Sequence, residues 1–436
     1  MIDTIKAAWR LPDLRKRILF TLFMLLVFRF GSAIPVPGLT PGILENLASQ
    51  DSFNMFSIMD LFSGGAFSQA TILAMGISPY INSSIIMQLL AVAIPALERL
   101  QKEGEEGRKK IQSITRIVTI GLALIQSIGI YFLLNNYGLL QNGVNFMDGF
   151  IIVTTLTAGT AFTMWLGEQI TDKGIGNGIS LLIFIGIVAR IPTIIERVAK
   201  NFEFATQWWI QLLILVYALA MITFVVYFDS SERRIPVQYS KRVAGRKMYG
   251  GQSTYIPLKV AMAGVLPIIF AISILSFPTT IIQLFTGKTN AADISSAGHP
   301  FLANIVDVFS SRSWVYAVLY FLLIIAFTYF YTSISFNPIE ISNNMKKNGG
   351  FIPGIRPGRP TSDFISKVLG KINFAGALFL SVIAVLPVII GIIYPTFSNI
   401  GLIGGSSILI LVGVALETVK QIEAQLMMRH YKGFLE

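Results

Sequence analysis

Ten apolar runs, near 18–34, 72–94, 114–134, 150–166, 179–199, 207–228, 259–281, 313–335, 372–393 and 402–416, each approach the roughly 20 residues a helix needs to cross a bilayer. Lipid offers no partner for backbone polar groups, so runs of this length fold as helices whose hydrogen bonds are internal. Composition agrees: of 436 residues 53% are hydrophobic and 13% charged, with a mean hydropathy of +0.67. A soluble chain this long would divide into about three domains. Here one continuous helical bundle replaces them, and an even number of spans puts both termini on one side.

Charge is sorted by side. Of the 34 Lys and Arg residues, 27 fall in the stretches on the side of the termini and five, Arg190, Arg197, Lys200, Lys288 and Arg312, toward the other. Arg29 and Arg116 lie in spans near their ends, where snorkelling is ordinary. The asymmetry predicts cytoplasmic termini by the positive-inside rule. There is no cysteine, which excludes both a disulfide framework and a thiolate metal site. Residues 1–34 have the basic start and apolar run of a secretory signal. Arg29 interrupts that run and nine spans follow, so it is read as a span.

One span is unlike the rest. From Asp60 to Leu90 the chain is too long, too broken and too polar for a lipid-facing helix: Gly64 and Gly65 interrupt a short piece, and Ser78, Pro79, Asn82, Ser83, Ser84 and Gln88 follow in the span itself. Such a segment either lines a cavity or is a Pro-kinked helix packed through small polar residues. Ile81 and Ile85, four apart, share one face of it. The stretch 35–59, without Lys or Arg, reads as an external loop, and 95–113, of mixed sign, as a solvated one.

The ten spans divide five and five, predicting halves 1–206 and 207–436 that are inverted in the membrane. Gly76-Ile77-Ser78-Pro79 in the second span recurs as Gly264-Val265-Leu266-Pro267 in the seventh. Interrupted helices at matching positions of two halves point to where a substrate passes. Two loops in the second half, 229–258 and 336–371, are basic, nearly free of acid and long for a compact bundle, so they are expected to project. Their charge serves either topology or docking. Pro353, Gly354, Pro357, Gly358 and Pro360 stiffen a turn that offers Arg356 and Arg359.

Intramembrane ionisable groups are functional suspects by default, and the spans carry few. His299 and His430 lie outside them, and no carboxylate pair stands within them to relay protons or hydrolyse a bond. Gly174, Gly176 and Gly178 do not complete a nucleotide motif, because the next glycine required is Ile179. Gly287-Lys288-Thr289 likewise lacks the opening glycine of a phosphate loop, having Ile282 there. These absences argue against an enzyme, with an ion-coupled transporter for a small solute as the alternative and an intramembrane protease as a weaker one.

The run TILAMGISPYINSSIIMQLL, with Gly76, Pro79 and Gln88, resembles the signature of the second membrane segment of the SecY family of protein-conducting channels. WLGEQITDKGIGNGISLLIF resembles the family's second signature, in which Glu168, Gly174, Gly176, Asn177 and Gly178 are read as a tight cytoplasmic turn. The two basic loops and the terminal GGSSILILVGVALETVKQIEAQLMM extend the likeness over essentially the whole chain.

The resemblance implies an all-α polytopic protein of the bacterial plasma membrane, with ten helices around an hourglass pore and no cofactor. It places a constriction ring on Ile81, Ile85, Ile179, Ile183, Ile269 and Ile410, and a plug on Asp60, Leu61, Phe62, Ser63, Gly64, Gly65, Ala66 and Phe67. A lateral gate toward lipid falls on Ser84, Gln88, Ser273 and Phe277, and docking residues on Arg242, Arg246, Lys247, Arg356 and Arg359. Implied partners are the small membrane subunits SecE and SecG, the motor ATPase SecA, the ribosome, secretory preproteins with their signal sequences, and membrane lipid, with no direct nucleic-acid function. Where many members carry Lys-Val-Asn this chain has Lys259-Val260-Ala261, which puts one polar contact across the gate in doubt.

Overall fold

The computed structural model describes residues 7–39, 59–60, 62–136, 138, 140, 146–201, 204–239, 242–244, 247–249, 253–286, 291–296, 298–310, 313–393 and 405–432. Leu61 of the predicted plug and Arg246 of the predicted docking set lie outside them, as does most of the external loop 35–59.

The chain is mostly helical. The first half gives α1 (Pro12–Gly31), α2 (Ser78–Ala93), α3 (Pro95–Lys102), α4 (Glu105–Asn136), α5 (Phe146–Lys173) and α6 (Gly178–Asn201). The second gives α7 (Phe204–Asp229), β1 (Glu232–Tyr239), β2 (Arg242–Ala244), β3 (Lys247–Tyr249), β4 (Ser253–Lys259), α8 (Leu266–Thr286), α9 (Ala291–Ser296), α10 (Pro300–Val308), α11 (Trp314–Ser335), α12 (Pro338–Lys347), β5 (Gly350–Phe351), α13 (Arg359–Ile393) and α14 (Gly405–Lys432).

Among the described residues six helices are long and apolar enough to cross a membrane, and the bent pair α2–α3 makes a seventh. The bend is 100°. It falls at Ile94, whose extended backbone (φ −106°, ψ 114°) is what a residue before proline adopts, and Pro95 then opens α3. Two shorter apolar helices cover 178–193 and 266–282.

Helices pack in neighbouring pairs, α4 on α5, α2 on α4, α11 on α13 and α8 on α11. The long α14 lies against α6, α7 and α13. One large apolar cluster runs through the centre, taking Phe28 from α1, Ile85 from α2, Ile183 from α6, Ile269 from α8, Tyr320 from α11, Leu380 from α13 and Ile410 from α14. Outward faces stay apolar, as lipid requires: Leu212, Leu215, Val216 and Leu219 of α7 are all exposed.

Three expectations change. The fold is not all-α: β1 pairs antiparallel with β4 and with β5, so the two basic loops join in one small sheet. The span 72–94 is helical only from Ser78, after a run of turns. The stretch 95–113 is helical rather than a loop, with Lys102 Nζ 2.6 Å from Glu98 Oε1 one turn away.

Candidate functional site

Gly76 and Gly264 occupy matching places in the sequence and adopt the same left-handed backbone, at φ +52° and +58°. That region is open to glycine at little cost. Each leads into a helix with proline in its first turn, Pro79 in α2 and Pro267 in α8. There proline's missing N–H is not needed and its fixed φ suits the helix. In this way the chain starts two helices abruptly beside each other, and α8 touches both α2 and α4.

The six predicted ring isoleucines stand within the first eight residues of four helices: Ile81 and Ile85 in α2, Ile179 and Ile183 in α6, Ile269 in α8 and Ile410 in α14. Five belong to the central apolar cluster, and the half-buried Ile179 packs against it. Asn177 caps the start of α6, its Oδ1 accepting from the N–H groups of Ile179 (3.1 Å) and Ser180 (3.3 Å). Only Gly176 of that turn has a positive φ, +85°, and Glu168 is not part of the turn but sits in the last two turns of α5.

Phe62 belongs to the same apolar cluster, while Met59, Phe67 and Ala70 join a second one with residues of α4 and α5, so the segment 59–70 packs between the two. Asp60, Ser63, Ala66 and Phe67 are all buried. Asp60 Oδ1 accepts the Ser68 N–H at 2.8 Å, closing the segment on itself, and Oδ2 lies 3.0 Å from Arg190 Nη2 of α6. From the other side Arg29 Nη1 of α1 donates to the Gly64 carbonyl at 2.9 Å. Arg29 therefore reaches inward to this segment. Gly64, at φ +70°, meets Gly186 of α6 backbone to backbone.

The seam between α2 and α8 holds a small cleft lined by Met59, Phe62, Ser78, Ile81, Asn82, Gln126, Ser273, Ser276, Phe277 and Thr280. Of the predicted gate residues Ser273 and Phe277 line it. Ser84 and Gln88 do not, and bond to each other along α2 at 3.3 Å. Gln126 of α4 was not among the residues singled out by sequence. An amide in the middle of the apolar run 114–134 was the available signal, and its Oε1 is buried in the cleft without a protein partner, as is Ser78 Oγ.

Glu168, buried on α5, accepts from Arg116 Nε at 2.7 Å and Gln112 Nε2 at 3.1 Å. Asp60 and Glu168 are thus two buried carboxylates that span boundaries drawn from hydropathy left out. Each has an arginine.

The basic loops meet in the three-stranded sheet, order β4-β1-β5. Ile235, Val237, Leu258, Met345, Ile352 and Ile365 form its core. Arg234 donates to Glu232 at 2.7 Å and lies 4.7 Å from the Tyr255 ring centroid; the bond to Glu232 raises its pKa further. Beyond β5 the Gly358 carbonyl accepts from Ser342 Oγ at 2.7 Å and the Arg356 carbonyl from Thr361 Oγ1 at 2.8 Å. Arg356 and Arg359 are exposed, but Arg359 opens α13 instead of sharing the turn's tip. Arg242 and Lys247 lie on β2 and β3, a separate hairpin.

The SecY family profile matches residues 71–419. The chain is 44% identical to "Protein translocase subunit SecY" of Streptomyces galbus and 45% identical to that of Corynebacterium glutamicum, over the full length of each chain. Solved structures share the fold at lower identity. One described as "the structure of a protein conducting channel" is 18% identical with a TM-score of 0.58, covering 94% of this chain and 92% of that one. The Sec61 channel of a canine ribosome-channel complex is 16% identical, with a TM-score of 0.56 and the same coverage. Match and full-length identity together establish that this chain belongs to the SecY family.

Proposed function

We propose that the chain is the pore-forming subunit of a Sec translocon in the bacterial plasma membrane. It passes unfolded secretory polypeptides outward and releases hydrophobic segments sideways into lipid. The observation that carries this reading is the gathering of six isoleucines, from the first turns of four helices, five of them in one apolar cluster and Ile179 against it, with Phe62 of the segment 59–70 in the same cluster. A narrow aliphatic constriction gives a hydrated ion no replacement ligands and dewets, so it bars ions. An extended polypeptide passes by displacing flexible side chains.

We further infer ten spans in two inverted halves, 1–206 and 207–436. In support, each of the ten apolar runs overlaps a described helix, and Gly76 and Gly264 share one backbone conformation five spans apart. The segment 60–70 acts as the plug and the cleft between α2 and α8 as the lateral gate. At such a seam a leucine favours lipid by a few tenths of a kcal/mol while an arginine opposes it by about 3 kcal/mol. Gln126, Ser78 and Asn82 offer the polar side of that choice, where Ala261 offers none.

The energy comes from partners: the motor ATPase SecA or the ribosome, docking on the sheet that joins the basic loops, with SecE and SecG as small membrane subunits. No cofactor enters the scheme. The test is reconstitution in vesicles with those subunits, SecA and ATP, followed by protease treatment of an added preprotein. Protection that depends on this chain is expected. Uptake of a small solute driven by an ion gradient, with no protected preprotein, would return the transporter reading.

A further inference from the structure

We propose that Asp60 and Arg190 form a charge latch that holds the segment 59–70 in its seat and sets how readily that segment leaves. The inference rests on the plug reading and adds the residues that govern it. Asp60 is almost wholly buried, and its side chain has 2% of its surface exposed against 18% for Arg190. The carboxylate is committed at both oxygens, one to the Ser68 N–H and one to Arg190. The latch therefore joins a fold internal to the segment with a helix outside it. Removing the arginine leaves the buried Asp60 carboxylate without its cation, which is far costlier than separating an exposed pair.

The seat is loaded as well as locked. Ala70, at the end of the segment, is the one described residue other than glycine with a positive φ, at 50°. For an alanine that conformation is strained. Pairing at 34–36 with 70–72 fixes this end, through Val36 N–H to the Ala70 carbonyl and Ile72 N–H to the Ile34 carbonyl, both 2.9 Å. Strain is held at this fixed end, and the ion pair holds the other. A latch of this kind positions the segment and takes no part in threading the chain.

Because the chain has no cysteine, Ala66→Cys, at a residue 1% exposed, supplies a single thiol that reports whether the segment is seated. The full chain with its small subunits in vesicles is treated with a membrane-impermeant maleimide, and resting ion conductance is measured in parallel. Asp60→Asn and Arg190→Gln are each expected to speed labelling at least about tenfold, as loss of a buried partner should. Arg190→Lys keeps the charge and should stay near the parent rate. The double variant Asp60→Asn/Arg190→Gln, with no charge left stranded, should label no faster than either single one.

Unchanged labelling in the two single variants, with normal assembly in the membrane, overturns the latch. So does additive behaviour of the double variant. Deleting 60–70 separates the two ideas: a leak on deletion with no effect of Arg190→Gln leaves a plug without this latch, whereas a tight deletion removes the plug.

Discussion

Gly186 has space for nothing larger than hydrogen: a methyl group there would lie 2.8 Å from the Phe62 carbonyl oxygen and 3.2 Å from the Gly64 nitrogen. Both obstacles are backbone, so relief requires moving the 59–70 segment. Gly186→Ala is therefore expected to raise resting ion leak in vesicles while the protein still assembles; a tight Gly186→Ala channel would mean that this close approach does not seat the segment. Arg116 and Glu168 make a different kind of point. Glu168 is buried and Arg116 is nearly half exposed, so losing the arginine leaves a buried carboxylate with one neutral donor, whereas losing the acid leaves an arginine that water reaches. An uncompensated buried charge is the costlier outcome. Arg116→Ala should lower the unfolding temperature in detergent more than Glu168→Ala does, and the reverse order would contradict the assigned burial. Arg356 is exposed on a loop that two hydrogen bonds stiffen, and the proposed docking role makes it a test of function apart from folding. Arg356→Glu should abolish motor-driven secretion with the channel intact, Arg359→Glu less so. Secretion at the parent rate would leave the loop basic for topology alone.

The small sheet turns two distant loops into one body. Ile235 and Val237 are buried on alternate positions of β1, against Met345, Ile352 and Ile365 from the second loop. Placing a charge there costs several kcal/mol unless the group is paired. Val237→Asp should uncouple the loops and reduce SecA-driven secretion about as far as Arg356→Glu, with the membrane-embedded part unaffected; full secretion by Val237→Asp would mean the loops act separately. This sheet was illegible in the sequence for a physical reason. β1 carries Arg233, Arg234 and Gln238 around only two inward positions, and its partner β5 is two residues long and more than 100 positions away. The spans were legible because lipid imposes their length and apolarity directly. The break at Gly76 and Pro79 was legible too. The pairing of Asp60 with Arg190 was not, since it joins side chains 130 residues apart, one of them in no apolar run.

A channel for polypeptide must bring residues from both ends of the chain to one place, and the six isoleucines do come from α2, α6, α8 and α14. Composition alone could not distinguish them from the many other isoleucines, and only the resemblance to the family's motifs singled them out. Their convergence in one cluster is what packing adds. The central claim is that a secretory chain in transit touches those six side chains. The absence of cysteine makes the test direct: one engineered thiol at Ile85, Ile183, Ile269 or Ile410, and one in the mature part of a secretory protein stalled during translocation. A disulfide needs Cα atoms within about 7 Å, so only a side chain bordering the path can form one. Leu124 on α4 is exposed on the outer surface and serves as the control. Disulfides are expected at the isoleucine positions and none at Leu124; crosslinking at Leu124 with none at the isoleucines would contradict a path along that ring.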